Sequence, residues 1–161
     1  MENIEDIQME FPEGCNIILG YSHFIKTIED LEEIIRTSNA SAKYGIAFSE
    51  ASGDRLIRHE GNDRELVDMA INNLRRLGCG HTFMILLRNI YPISILNAIK
   101  SCMEVGNIFA STANPLNVIV YRSERGGSIL GVVDGFSPLG VETDEDKKKR
   151  RDLLRNIGYK R

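Results

Sequence analysis

Residues 82–87 read TFMILL, six positions without a charge, a glycine or a proline, set between His81 and Arg88. A run of that length suits a single strand. A strand that is apolar at every position, and not at every second one, must be covered on both faces. This stretch therefore predicts a layered fold in which a sheet lies between two apolar surfaces. Residues 16–20 (NIILG) carry a shorter version of the same pattern. A chain of 161 residues with 42% hydrophobic content can build one such core and is too short for two ordinary domains.

Around these strands the periodicity alternates. Ile4 to Phe11, a Pro12-Glu13-Gly14 turn and residues 16–20 predict an N-terminal hairpin. Thr27 with Asp30 three positions on is a helix-capping pattern, and Ile28, Leu31, Ile34 and Ile35 form the apolar stripe of a helix ending near Ser38-Asn39. Residues 43–49 and 55–59 predict two strands around Ser52-Gly53-Asp54. Asn62 with Glu65 opens a second helix, with Leu66, Met69, Ala70, Leu74 and Leu77 on one face and Gly78 as its stop. Pro92 suits the first turn of a third helix, which turns Ile95, Leu96 and Ile99 inward and ends near Gly106. Residues 108–111, 116–121 and 128–133 are further strands, the last two joined across Glu124-Arg125-Gly126-Gly127. The expected fold is α/β: one layered domain over residues 1–142, with a mixed β-sheet and several hairpins, followed by a charged, basic tail or helix over residues 143–161.

Charge is nearly balanced, with 20 Lys and Arg against 23 Asp and Glu, which gives no ground for a nucleic-acid partner. It is unevenly placed. From Thr143 onward eight bases face four acids, leaving +4 there and −7 in the remainder. A solvated helix accounts for such a tail, and contact with a phosphate-bearing partner is the sharper alternative. Cys15, Cys79 and Cys102 have no CxxC spacing, so they suggest neither a disulfide framework nor a zinc site and fit a reducing cytoplasm. The start, MENIEDIQME, lacks the order of a signal peptide, and no apolar run approaches the ~18 residues of a membrane helix. A soluble, cytoplasmic protein without a membrane partner is expected.

No GxxxxGK[ST], GxGxxG or GxSxG fingerprint is present. Polar clusters instead sit where strands are predicted to end: Gly20-Tyr21-Ser22-His23, Ser49-Glu50-Ala51-Ser52-Gly53-Asp54, Ser111-Thr112-Ala113-Asn114-Pro115, and Asp134-Gly135-Phe136-Ser137-Pro138. Ligands of layered α/β folds gather outside strand ends. Turns that cap themselves with Ser, Asn and Asp are the competing explanation for each cluster. His23 stands just before a helix start with Lys26 close by, a setting that stabilises an anion, including a phosphoryl group on an imidazole nitrogen. His81, at the mouth of the apolar strand, is the second candidate nucleophile or base. Glu50 and Asp134 could each take a proton from a hydroxyl or anchor Mg2+. No side-chain set suggests a resident metal.

Six stretches, NIILGYSHFIKTIEDL (16–31), YGIAFSEASGDRLIRHEGND (44–63), GHTFMILLR (80–88), PISILNAIK (92–100), IFASTANPLNVIVY (108–121) and GGSILGVVDGFSP (126–138), resemble in collinear order the adenosine-specific kinase family of archaea and bacteria. The resemblance departs at Tyr21, where the family often has a polar amide, and at Ser111 and Ser128. It is weakest after Pro138. It implies a compact α/β domain assembled into homo-oligomers, binding of adenosine or AMP, and kinase chemistry through a phosphorylated histidine, with His23 favoured and His81 next. Glu50 or Asp134 would then polarise the ribose hydroxyl. Ser22, Lys26, Ser52, Asn114, Gly135, Phe136 and Ser137 are the candidate ligand contacts, with Phe136 or Tyr21 against the adenine ring. No cofactor follows with certainty; Mg2+ accompanying a nucleotide phosphate donor is the one left open. The alternative is an adenosine- or AMP-sensing module without turnover.

Overall fold

The computed structural model describes residues 3–161. Eight strands and four helices follow in the order β1 (Ile4–Gln8), β2 (Asn16–Ser22), α1 (Thr27–Ser38), β3 (Lys43–Ser49), β4 (Ile57–Gly61), α2 (Arg64–Leu77), β5 (Thr82–Arg88), a single 3-10 turn (Pro92–Ser94), α3 (Leu96–Lys100), β6 (Val105–Thr112), β7 (Leu116–Arg122), β8 (Gly127–Asp134) and α4 (Asp144–Asn156). The strands form a five-stranded sheet of order β4-β3-β5-β2-β6 and a three-stranded sheet of order β1-β7-β8.

The apolar run of β5 lies at the centre of the larger sheet. Successive side chains of a strand point to opposite faces. Phe83, Ile85 and Leu87 accordingly meet Ile28, Leu31 and Ile35 of α1 together with Ile95 and Ile99, while Met84 and Leu86 meet Leu66, Ala70 and Leu74 of α2 and Leu116, Val118 and Val120 of β7. The result is three layers. α1 and α3 lie on one side of the five-stranded sheet, and α2 and the smaller sheet on the other.

The layered α/β content is as expected, but the strand pairing is not mixed: every pair in both sheets is antiparallel. β2 and β3 do run parallel, connected through α1, yet β5 is inserted between them and pairs antiparallel with each. Strand-helix-strand alternation predicts a parallel direction without revealing that a third strand fills the gap. The N-terminal hairpin is also replaced. Gly14 turns the chain at φ 79°, but β1 then pairs with β7, Ile4 opposite Tyr121, while β2 enters the other sheet. The β3–β4 and β7–β8 hairpins form where expected.

Helix ends shift by a residue or play other roles. α2 is capped by Asp63, whose carboxylate accepts from the Leu66 N–H at 3.3 Å, and stops at Gly78 in the left-handed conformation. Asn62 instead accepts from the Tyr44 N–H at 3.0 Å and donates to the Ala42 carbonyl at 2.9 Å, pinning the start of β3. The Thr27 hydroxyl does not cap α1; it turns back to the Phe24 carbonyl and to the Ser22 hydroxyl. The third helix is shorter than expected because β6 begins at Val105, before Gly106. The tail forms α4 behind a Thr143–Asp146 capping box.

α2 lies so close to β3 that a Cβ on Gly45 would stand 2.3 Å from the Leu66 carbonyl carbon. Gly45→Ala is therefore expected to cost about 1–3 kcal/mol or more by overpacking. Gly131→Ala, at a position with nothing within 4 Å of the added carbon, serves as the control and should stay within about 0.5 kcal/mol. Urea unfolding midpoints of the two variants check this.

Candidate functional site

β2 and β3 end, and β5 begins, at the same edge of the five-stranded sheet, since Tyr21 lies opposite Thr82 and Phe48 opposite Phe83. His81 is stitched between them: its N–H donates to the Ser49 carbonyl at 2.7 Å, and its carbonyl accepts from the Ser22 N–H at 2.9 Å. Its φ of 58° is left-handed, a conformation that costs a non-glycine residue about 1–2 kcal/mol. The ring stacks on Phe48 with centroids 6.0 Å apart and meets Tyr21 edge-on at 5.9 Å. These contacts fix the imidazole's plane and leave it half-buried.

His23 follows in the loop from β2 to α1. Its N–H donates to the Glu104 carbonyl at 3.1 Å, and its exposed ring stacks on Phe24. The N–H groups of Phe24, Ile25 and Lys26 find no acceptor among the described residues, so three donors lie just after His23 at the start of α1. The Lys26 ammonium pairs with Asp30 and lies 3.5 Å from Glu104. Ser22 is fully buried with its hydroxyl against Thr27, so it builds the loop and offers nothing to a ligand.

Glu50 lies at the end of β3. Its carboxylate accepts from the Leu56 N–H at 2.8 Å and from Arg58 at 2.9 Å. These bonds, the backbone one first, hold its pKa below the usual glutamate value, so it stays ionised. Ser52 is exposed in the turn that follows, its carbonyl accepting from the Arg55 N–H.

Asp134 lies elsewhere. Its carboxylate accepts from the Thr112 hydroxyl at 2.8 Å and from the Asn114 amide at 3.2 Å, locking the β6–β7 turn to the end of β8. Thr112 pairs with Ile17 near the start of β2, whereas His23 follows Ser22 at its end, five residues or roughly 17 Å along the strand. Asn114, Asp134, Gly135, Phe136 and Ser137 thus form a second group at the opposite end of the sheet. A ligand at His23 meets them only if a neighbouring copy presents them.

Sequence reasoning missed a polar cleft of about 620 Å³ at the histidine end, lined by Ser49, Glu50, Gly80, Arg55, Arg75 and Arg125 among others. None of these three arginines lies within ion-pair distance of a carboxylate among the described residues, whereas Arg58, Arg64, Arg76, Arg88, Arg122 and Arg150 all do. The three come from a turn, from α2 and from the β7–β8 connection, so no local spacing links them. The tip of that hairpin reaches the cleft because the Gly127 N–H donates to the Gly78 carbonyl at 2.9 Å, and a Cβ on Gly127 would stand 2.7 Å from Cys79 Sγ. A separate, apolar cavity of about 740 Å³ is lined by Tyr91, Ile93, Leu96, Ile157 and Tyr159 among others.

No cluster of three or more His, Cys, Asp and Glu side chains suited to a metal ion occurs among the described residues. No helix among them is long and apolar enough to cross a membrane.

Beneath the His23 loop, Glu104 is 2% exposed and its carboxyl oxygens meet no hydrogen-bond donor in good geometry. Burial pushes its pKa up, reinforced by the adjacent Asp30, whose own pKa is lowered first by Glu104 and then by Lys26. Of the two carboxyls, Glu104 is thus the one that keeps its proton to higher pH. A carboxyl with a raised folded-state pKa stabilises the native state most below the ordinary glutamate value and loses that contribution as pH rises through the folded value. Replacing Glu104 by Gln should accordingly shift relative stability in the variant's favour as pH is raised from about 4 to 7, measured by unfolding at each pH.

A family model described as adenosine specific kinase matches residues 7–160. The crystal structure of PH1918 protein from Pyrococcus horikoshii OT3 is similar at 44% identity, with a TM-score of 0.93 over 98% of each chain. No curated protein matches the chain.

Proposed function

The chain belongs to the adenosine specific kinase family, and we propose that it binds adenosine or AMP and moves a phosphoryl group to the adenosine ribose through a phosphorylated histidine at the end of β2. The observation that carries this reading is the convergence of His23, His81, Glu50 and the arginine cleft on one sheet edge. His23 is the exposed imidazole, followed directly by three unclaimed N–H groups and Lys26, donors suited to phosphoryl oxygens. In the first step its nitrogen bonds to phosphorus as the donor's P–O bond breaks and the departing oxygen keeps the electron pair. In the second the ribose hydroxyl oxygen attacks, the N–P bond breaks, and the hydroxyl proton passes to a base, a role this reading gives to His81.

The cleft with Arg55, Arg75 and Arg125 supports a place for the donor's phosphates, since guanidinium groups match phosphate oxygens in geometry and charge. Glu50 lies on its lining as an ionised carboxylate. Mg2+ arriving with a nucleotide donor would be held chiefly by that donor's phosphates, with Glu50 as the nearby acidic side chain. Tyr21 and Phe24 offer aromatic faces for adenine beside the histidines, and Ser52 an exposed hydroxyl. A homo-oligomer in the cytoplasm is part of this reading. Binding without turnover is the second reading, favoured by one observation: the carboxylates of Glu50 and Asp134 are both already engaged as hydrogen-bond acceptors within the chain.

Incubation with adenosine and γ-labelled ATP, under a series of divalent metals, is expected to yield AMP and an acid-labile label on the protein. His23→Asn should abolish that label, while His81→Asn should keep it and slow AMP formation by roughly 10²-fold or more. A label lost only in the His81 variant would transfer the carrier role to His81. If neither AMP nor label forms while calorimetry still shows adenosine binding, the sensing reading replaces the enzyme. If no adenine ligand binds, both readings fall. The triple replacement of Arg55, Arg75 and Arg125 by Gln should raise the donor KM and leave the adenosine Kd unchanged.

A further inference from the structure

The smaller sheet turns Leu116, Val118 and Val120 into the core and leaves its other face bare. Ile4, Tyr121 and Val133 lie on that outer face by register, and Leu130 sits in the β8 bulge beside it; they are 39%, 40%, 52% and 58% exposed respectively. A sheet with apolar side chains on a face is stable when something covers it. The segment that leaves β8 is apolar and equally uncovered. Leu139 and Val141 are fully solvent-exposed, Phe136 nearly so, and α4 beyond them has no buried residue. α4 meets its own chain at its C-terminal end, where Ile157 and Tyr159 line a cavity with Tyr91, Ile93 and Leu96; a 13-residue helix held so lightly is marginal in water, so the segment and the rest of the helix call for a surface to rest on.

Charge identifies that surface. Residues 1–25 contain five acids and no Lys or Arg. Glu5 and Glu10 are paired with Arg122 and Arg76, but Asp6, which projects from the outer face, receives only the neutral Asn117 amide. On α4, Lys147, Lys149 and Arg150 have acidic partners, while Lys148, Arg151 and Arg155, spaced to share one helix face, have none among the described residues.

We infer that the outer face of β1-β7-β8 receives the Phe136–Val141 segment and the Lys148-Arg151-Arg155 face of α4 from a second copy of this chain. Apolar side chains fill the centre of the contact and the basic stripe lies along acidic β1, an arrangement of apolar core and charged rim. The inference rests on the homo-oligomer of the preceding section, names its surfaces, and is independent of the nucleoside chemistry.

Light scattering coupled to gel filtration tests it, with a single copy at 18.1 kDa as the reference. The full chain is expected to run as two or more copies and Leu139→Asp/Val141→Asp as one, with a cooperative unfolding transition showing that the variant remains folded. A photoreactive residue at position 139, in a mixture of isotope-labelled and unlabelled chains, is expected to give mixed cross-links to β1, β7 or β8. Unchanged assembly in the double variant, or mixed cross-links only to other elements, would overturn the surface assignment and leave the oligomer standing. A single-copy wild type would overturn both.

Discussion

The architecture depends on β5 being buried on both sides. Its odd-numbered side chains commit α1 and α3 to one layer, and its even-numbered ones commit α2 and the smaller sheet to the other. At about 25 cal/mol per Å² of apolar surface, a central strand with five large side chains on alternating faces is a major source of burial. The close approach of α2 at Gly45 and the pairing of β5 with both β2 and β3 follow from that demand. The histidine edge follows in turn, because strands that flank β5 antiparallel must end where β5 starts.

This dependence explains what could be read in the sequence. The two-faced strand, both long helices and the later hairpins were legible because periodicity and turn residues are local signals. The inserted position of β5 and the departure of β1 to the smaller sheet were not. Both are set by pairings between distant segments, and Ile4 and Tyr121 have no spacing that announces them. Capping patterns located helix starts to within a residue or two, although Asn62 and Thr27 turned out to hold neighbouring backbone and loop groups instead.

The site was legible in the same uneven way. Polar clusters at strand ends singled out His23 and Glu50, and the mouth of the apolar strand singled out His81; the topology does bring the three to one edge. The same signal singled out Asp134 and Asn114, which antiparallel pairing places at the other end; a strand-end residue carries no mark of which end it will occupy. Arg55, Arg75 and Arg125 were invisible because surface arginines are common, and only the tethering of Gly127 to Gly78 brings the third beside the others. Glu104, beneath the His23 loop, falls outside every polar cluster.

The β1–β7 pairing has a kinetic side. Residues near the two ends of the domain must find each other across more than a hundred positions, a loop closure that is slow by nature. The larger sheet also has a distant pairing, Ile17 with Thr112, but it needs no strand beyond β6. As the chain leaves the ribosome the histidine edge can thus form while residues 116–122 are still inside the exit tunnel, leaving acidic β1 unpaired and free to sample other edges until β7 emerges. The smaller sheet is accordingly the last layer to close and the one most open to exchange between chains while they are young.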